Sequence, residues 1–262
     1  MYQQLYTPKD RKARIAQCMS GSGTNVEKVI AQEERLGKEC QYETVAILTD
    51  DKRSKAEIIA YNHLIQYIQL DIRDFQESKG LGRKLTLATE AHRKAREEYT
   101  AELAGRLRKL EVDFIVFGGF EPLTNIAGEF PCLNVHPGDL TYQKDGKPYL
   151  VGLHTVPIQR ALDQGIGYVR SSVIQALPYT GIGDDMDNGP ILGLGPKLFY
   201  EGERDAKKIQ DALKRASDWV ILPAVVLAVA RGEIEVDHET NEVRNQVIMD
   251  LEYRISEIRE VN

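Results

Sequence analysis

Through its first half the chain alternates short β-rich runs with helical patterns, and that alternation constrains the fold more than any other feature. The run Ala13-Arg14-Ile15-Ala16-Gln17-Cys18-Met19 reads as a strand, the glycine turn Gly21-Ser22-Gly23 follows, and a helix is expected from about Asn25 to Leu36. The cycle repeats with Thr44 to Thr49 and a helix near Lys55 to Asn62, then with Gln66 to Leu70. A long charged helix, expected over roughly Arg83 to Leu110, leads into Asp113 to Phe117. Strands separated by helices pair in parallel, and a parallel sheet needs cover on both faces. The expected fold is therefore α/β and Rossmann-like, with a mostly parallel central sheet and helices on both faces.

The pattern changes after the short run Phe130-Pro131-Cys132-Leu133. A polar loop, Thr141 to Lys147, precedes Gly152-Leu153-His154-Thr155 and a helix near Pro157 to Leu162. Runs at Gly167 to Leu177 and Gly189 to Tyr200 are expected to extend the sheet in mixed orientation. One helix from about Ala206 to Ala230 closes the core, and a hairpin is expected around Asp237 to Asn241.

With 262 residues the chain can bury a substantial core without staples. A net charge of -6 argues against nucleic acid as the main partner, since phosphate-backbone binding needs a concentrated basic face. The basic clusters Arg83-Lys84 and His92 to Arg96 are interleaved with acids and read as a solvated helix face. Cys18, Cys40 and Cys132 are odd in number and widely spaced, without the pairing of a zinc site or a disulfide framework. Met1 to Leu5 lacks the layout of a signal peptide, and the apolar run Trp219 to Ala230 is too short to span a bilayer, so a reducing cytoplasm is the expected compartment.

In parallel α/β sheets ligands bind outside the carboxyl ends of the strands. The unusual residues collect there. Gly21-Ser22-Gly23-Thr24-Asn25, between a strand and a helix, suits an anion, because glycines admit close approach and a helix N-terminus offers free N–H groups. Val26 stands where a dinucleotide motif has its third glycine, and the Lys-Ser/Thr ending of a P-loop is missing, so one phosphate fits better than a pyrophosphate. A tight turn with Thr24 or Asn25 capping the helix is the plain alternative.

Asn134 and His136, two apart on extended backbone, point to one side. A carboxylate brought there by the turn Asp187-Asn188-Gly189, just before the run that begins at Pro190-Ile191, would complete a set that handles an oxyanion and a proton together. Taken singly, each has a structural explanation: a hydrogen-bonded histidine, a strand cap and a turn aspartate.

In this order these segments resemble the folate-dependent formyltransferases, and within them most closely the branch that formylates glycinamide ribonucleotide in purine synthesis. The resemblance runs from about Ala13 to Ala230. It rests on Ser20-Gly21-Ser22-Gly23-Thr24-Asn25, Arg96-Glu97-Glu98-Tyr99 through to Gly118-Gly119-Phe120, Leu133-Asn134-Val135-His136-Pro137, Gly152-Leu153-His154-Thr155 and Asp187 to Leu192. It implies a formyltransferase domain over 1-231, with a phosphate-binding half at about 13-125 and a folate and catalytic half at about 126-231. Residues 232-262 would be a C-terminal extension of the same domain.

The same resemblance implies that Asn134, His136 and Asp187 are catalytic and that Gly23, Thr24, Asn25 and Arg96 hold the substrate phosphate. Asp218 falls near the acceptor amine, where a glutamate is usual. Leu123, Thr124, Asp184, Asp185 and Met186 fall on the folate side. The implied co-substrate is 10-formyltetrahydrofolate, with no metal. The implied partners are small molecules, a folate and a phosphorylated amine, with neither nucleic acid nor membrane, and homo-oligomerisation stays open.

The chain departs from the family at Glu121-Pro122, where Met-Arg is usual, and at Ile174, where many relatives have histidine. The segments 138-151 and 176-183 are longer than usual. These departures leave open a different amine acceptor, such as a sugar nucleotide or an amino sugar, and a non-catalytic folate-binding homologue. A nucleotide-dependent oxidoreductase fits least, because the glycine pattern is incomplete.

Overall fold

A computed structural model describes residues 1–181 and 187–258. In chain order the elements begin with β1 (Tyr2–Gln4), β2 (Ala13–Met19), α1 (Thr24–Leu36), β3 (Tyr42–Thr49), α2 (Ala56–Asn62), β4 (Gln66–Gln69), α3 (Ile72–Ser78), α4 (Glu90–Arg108) and β5 (Phe114–Phe117). They continue with β6 (Cys132–His136), β7 (Gln143–Lys144), β8 (Lys147–Pro148), α5 (Val156–Asp163), β9 (Tyr168–Val169), β10 (Ser172–Ala176), β11 (Ile191–Leu194) and β12 (Lys197–Phe199). The last are α6 (Ala206–Leu213), α7 (Trp219–Ala230), β13 (Glu235–Asp237), β14 (Glu242–Arg244), β15 (Val247–Ile248) and β16 (Glu252–Arg254). The architecture is α/β with a large, mostly parallel central sheet. The chain divides into two compact units, one of Tyr6–Asn134 with Ala176–Met186, the other of Met1–Leu5, Val135–Gln175 and Asp187–Asn262.

In the unit that begins at Tyr6, parallel strands run in the order β6, β5, β2, β3, β4, as the alternating sequence predicts. Side chains of a strand alternate between faces, so each strand feeds two layers. Ala16, Cys18, Ala46, Leu48, Ile115 and Phe117 pack with Tyr99, Leu103, Ala104 and Leu107 of α4. Met19 and Ile47 pack with Val26 and Ile30 of α1 and with Ala56, Ile59 and Ala60 of α2. Helices thus cover both faces. Each large apolar side chain buried this way contributes about 1.5–3 kcal/mol.

Two expectations for this unit need correction. The long helix starts at Glu90 rather than near Arg83, because Gly80 and Gly82 take positive φ (74° and 68°) and Thr89 caps the helix by accepting from the His92 amide. The segment after β4 also holds a helix that the apolar pattern did not disclose, α3, capped by Asp71, whose carboxylate accepts from the Arg73 and Asp74 amides.

In the other unit β10 and β11 are antiparallel while β15 joins β11 in parallel. β12 lies between antiparallel β9 and parallel β16. This is the mixed orientation expected of the later runs. The expected tail hairpin is β13–β14, with Asp237 opposite Glu242, and β1 adds a third antiparallel strand. The polar loop at 141–147 is not irregular, since β7 and β8 make a short antiparallel ladder within it.

The expected single helix from Ala206 to Ala230 is instead α6, a π-turn over Lys214–Asp218, and α7. Pro223 removes one amide from the α7 ladder. The π-turn carries Ser217 inward to accept from the Ser171 amide (3.0 Å), and any Cβ at Gly195 would overlap its hydroxyl. Among the described residues no helix is long and apolar enough to cross a membrane.

Candidate active site

β6 carries Asn134 and His136 two positions apart, at the carboxyl end of the strand. His136 is 3% exposed, and its Nδ1 faces the Asp187 carboxylate at 3.5 Å. Its Nε2 lies 2.7 Å from the Leu150 carbonyl oxygen. A carbonyl only accepts, so Nε2 carries a hydrogen and donates it. Asp187 sits in the turn before β11 at φ 61°, a left-handed conformation that aspartate tolerates, and its Oδ2 accepts from the Gly152 amide at 3.3 Å. The structure therefore joins two of the three predicted catalytic residues, the imidazole and the carboxylate, while Asn134 is half-buried on the same strand.

In the unit beginning at Tyr6, Gly23 occupies the N-cap of α1 at φ 73°, and among the described residues no side-chain cap is made there. The alternative in which Thr24 or Asn25 supplies the cap is thus not realised. Asn25 is buried, and its Oδ1 has no hydrogen-bond partner among the described residues. Gly118 lets this turn approach β5, since a Cβ there would lie 2.9 Å from Val26 Cγ2.

Arg96 on α4 is 4% exposed. One Nη donates to the Leu123 carbonyl at 2.6 Å, and Nε has no partner among the described residues. Burial pushes its pKa below the ordinary arginine value, a cost that a bound anion would offset. The Thr124 hydroxyl contacts that of Thr100 at 2.9 Å and accepts from the Ile126 amide. Leu123 and Arg96, expected to serve different ligands, are in contact with each other. Asp184, Asp185 and Met186 lie outside the described residues. Asp218, 5% exposed at the end of the π-turn, accepts a short hydrogen bond from the Ser171 hydroxyl.

A carboxylate that sequence reasoning did not select stands in the same unit as the glycine loop. Asp50, 1% exposed just past β3, accepts from the hydroxyl of Ser20, the residue preceding the loop, at 2.5 Å. Burial raises its pKa to about 6 against the opposing Ser20 bond; Glu121 pushes in the same direction and Arg73 in the other. Its neighbour Asp51 goes the other way, down to about 2, through its bonds to Arg53. Two adjacent aspartates at a strand's carboxyl end were the available signal. Among the described residues no group of three or more His, Cys, Asp or Glu is placed to hold a metal ion.

Solved structures share this architecture. Phosphoribosylglycinamide formyltransferase from Anaplasma phagocytophilum superposes with a TM-score of 0.70 at 16% identity, covering 93% of this chain and 100% of that one. The chain has the fold of that enzyme. Glycinamide ribonucleotide transformylase 1 from Symbiobacterium toebii gives 0.67 at 20% identity, over 90% of this chain and 95% of the other. A formyltetrahydrofolate deformylase from Pseudomonas syringae pv. tomato gives 0.68 at 14% identity, over 92% of this chain and 67% of that one. At these identities the likeness is one of fold. No protein-family model matches the chain, and no curated protein matches it in sequence.

Proposed function

We propose that this chain transfers a formyl group from 10-formyltetrahydrofolate to the primary amine of a phosphorylated acceptor, glycinamide ribonucleotide being the first candidate. The observation that carries the proposal is the His136–Asp187 pair, 3.5 Å apart beside the carboxyl end of β6, in a chain with the fold of folate-dependent formyl-transfer enzymes. The donor set fits the chemistry. An amide, an imidazole and a carboxylate are what an acyl transfer with one proton to relocate requires.

The co-substrate supplies the activated formyl carbon; Leu123 and Thr124 would border it. The acceptor nitrogen bonds to that carbon while the carbon's bond to the folate nitrogen breaks. The Asn134 amide N–H would donate to the formyl oxygen as negative charge develops there. Removing one such donor typically costs about 100- to 1000-fold in rate. Asp187, paired with the imidazole, would take the proton released by the attacking amine and return it, directly or through a water, to the departing nitrogen.

The phosphorylated acceptor is supported by Gly23, Thr24 and Asn25 at the N-terminus of α1, which has no side-chain cap among the described residues, and by the buried guanidinium of Arg96. Asp218 would face the acceptor. The fold shared with a deformylase supports a second reading, in which water replaces the amine. Purified protein is given 10-formyltetrahydrofolate with and without glycinamide ribonucleotide, and deformylated folate is followed by absorbance. Transfer predicts a rise that needs the acceptor and is lost in His136→Ala; a rise without acceptor identifies hydrolysis. No rise under either condition would overturn both readings.

A further inference from the structure

The segment between β8 and α5 touches both members of the His136–Asp187 pair: the Leu150 carbonyl accepts from His136 Nε2 at 2.7 Å, and the Gly152 amide donates to Asp187 Oδ2 at 3.3 Å. Arg160 of α5 grips this segment. One Nη of its guanidinium donates to the carbonyls of Tyr149 (3.0 Å) and Val151 (2.9 Å), the two neighbours of Leu150. The guanidinium carbon also lies 5.7 Å from the Tyr149 ring centroid. The flanking carbonyls thus turn toward Arg160 and the Leu150 carbonyl toward the imidazole. The Leu150 side chain is 1% exposed, in an apolar cluster with Ile158, Ala161 and Leu162 of the same helix.

Gly138 closes the arrangement from the other side. Its carbonyl accepts from Ser172 Oγ at 2.8 Å, and a Cβ on it would overlap the Leu150 oxygen and lie 2.8 Å from His136 Nε2. The carbonyl can stand against the ring only because residue 138 has no side chain.

We propose that Arg160 is a positioning residue for the His136–Asp187 pair: by clamping the carbonyls on either side of Leu150 it sets the Leu150 carbonyl on Nε2 and the Gly152 amide on Asp187. With Nε2–H given to the Leu150 carbonyl, Nδ1 is turned to the carboxylate, and a hydrogen on Nδ1 then bonds to Asp187 so that carboxylate and doubly protonated ring act as one unit. Arg160 touches no reacting atom and acts through the backbone of 149–152. The kinetic consequence rests on the function proposed above; the spectroscopic consequence does not.

The test is 15N NMR of the imidazole in histidine-labelled protein without substrate, with the His136 signals among the five histidines assigned from a His136→Asn sample. The wild type is expected to show Nε2 carrying a hydrogen, held on the Leu150 carbonyl. Arg160→Met is expected to populate both tautomers, and Arg160→Lys, which can donate to the same carbonyls, to restore most of the Nε2–H form. Gly138→Ala, which pushes the Leu150 oxygen away from the opposite side, should reproduce the Arg160→Met pattern and serves if that variant fails to fold. In the formyl-transfer assay Arg160→Met should lower kcat at least tenfold with acceptor KM within about twofold. An unchanged His136 15N pattern in the folded Arg160→Met or Gly138→Ala protein would overturn the positioning role. Altered tautomers in a protein without formyl-transfer activity would leave that role standing and remove the function.

Discussion

Arg96 donates to the Leu123 carbonyl at 2.6 Å, so the cation expected to bind phosphate is anchored to a residue expected to border the folate. The bond fixes one end of a buried guanidinium and leaves Nε without a partner among the described residues. A fork held at one end suits a bidentate anion, because little conformational freedom is lost when the anion arrives. Arg96→Met should raise the acceptor KM about 10- to 100-fold, the equivalent of a lost charge-assisted hydrogen bond of roughly 1.5–3 kcal/mol. Arg96→Lys should recover only part of it. Steady-state kinetics against acceptor concentration check this, and an unchanged KM would favour an acceptor without phosphate.

Asp50 links stability to pH. Its pKa of about 6 lies above the ordinary unfolded carboxylate value near ~4, so between the two the folded state holds a proton that the unfolded state has released. This contribution is complete below about pH 4 and is lost as pH rises through about 6, a change of roughly 2–3 kcal/mol. Asp50→Asn keeps an acceptor for the Ser20 hydroxyl and removes the titration. The variant should therefore unfold at higher temperature than the wild type at pH 7.5 and show little difference at pH 4, as followed by thermal denaturation across that range.

Gly23 is constrained first by its backbone. At φ 73° an L side chain is strained, and a Cβ there would also overlap Ile59 Cδ1 and Met19 Cε, ends of buried side chains that would have to shift. Gly23→Ala should cost about 1–2 kcal/mol. At this chain length that corresponds to a Tm fall of roughly 2–8 °C, measured by calorimetry. A variant as stable as the wild type would mean that the turn before α1 can relax out of the left-handed region.

The parallel layer was legible because local signals agreed there: apolar strands, glycine turns and helical patterns recur from Ala13 to Phe117, and β2 was delimited to the residue. What escaped was set by tertiary contacts. The π-turn at Lys214–Asp218 has the composition of ordinary helix and is distinguished by Ser217 meeting Gly195 and Ser171. α3 is short and mostly polar, so its apolar period is too brief to read, although Asp71 was there as a cap. At the candidate site the sequence pointed to side chains, and Asp187 does meet His136. It could not point to the Leu150 carbonyl, since a backbone acceptor has no residue type. Nor could it separate Asp50 from Asp51, whose opposite pKa shifts arise from burial in one case and from Arg53 in the other.

Asp187 allows structure and chemistry to be separated in one position. Its left-handed φ of 61° is tolerated by asparagine, and an amide oxygen can still accept from the Gly152 amide. Asp187→Asn should therefore fold with a Tm near that of the wild type. It nevertheless removes the charge that faces His136 Nδ1 at 3.5 Å and the group proposed to carry the proton between the two nitrogens. A loss of positioned acid–base catalysis lowers kcat by about 100- to 10,000-fold. Asp187→Ala should lose activity to the same extent and stability besides, because alanine fits a left-handed turn poorly and offers Gly152 no acceptor. Measuring kcat and Tm for both variants decides the matter: Asp187→Asn with a kcat within threefold of wild type would make Asp187 a turn residue and move the proton transfer elsewhere.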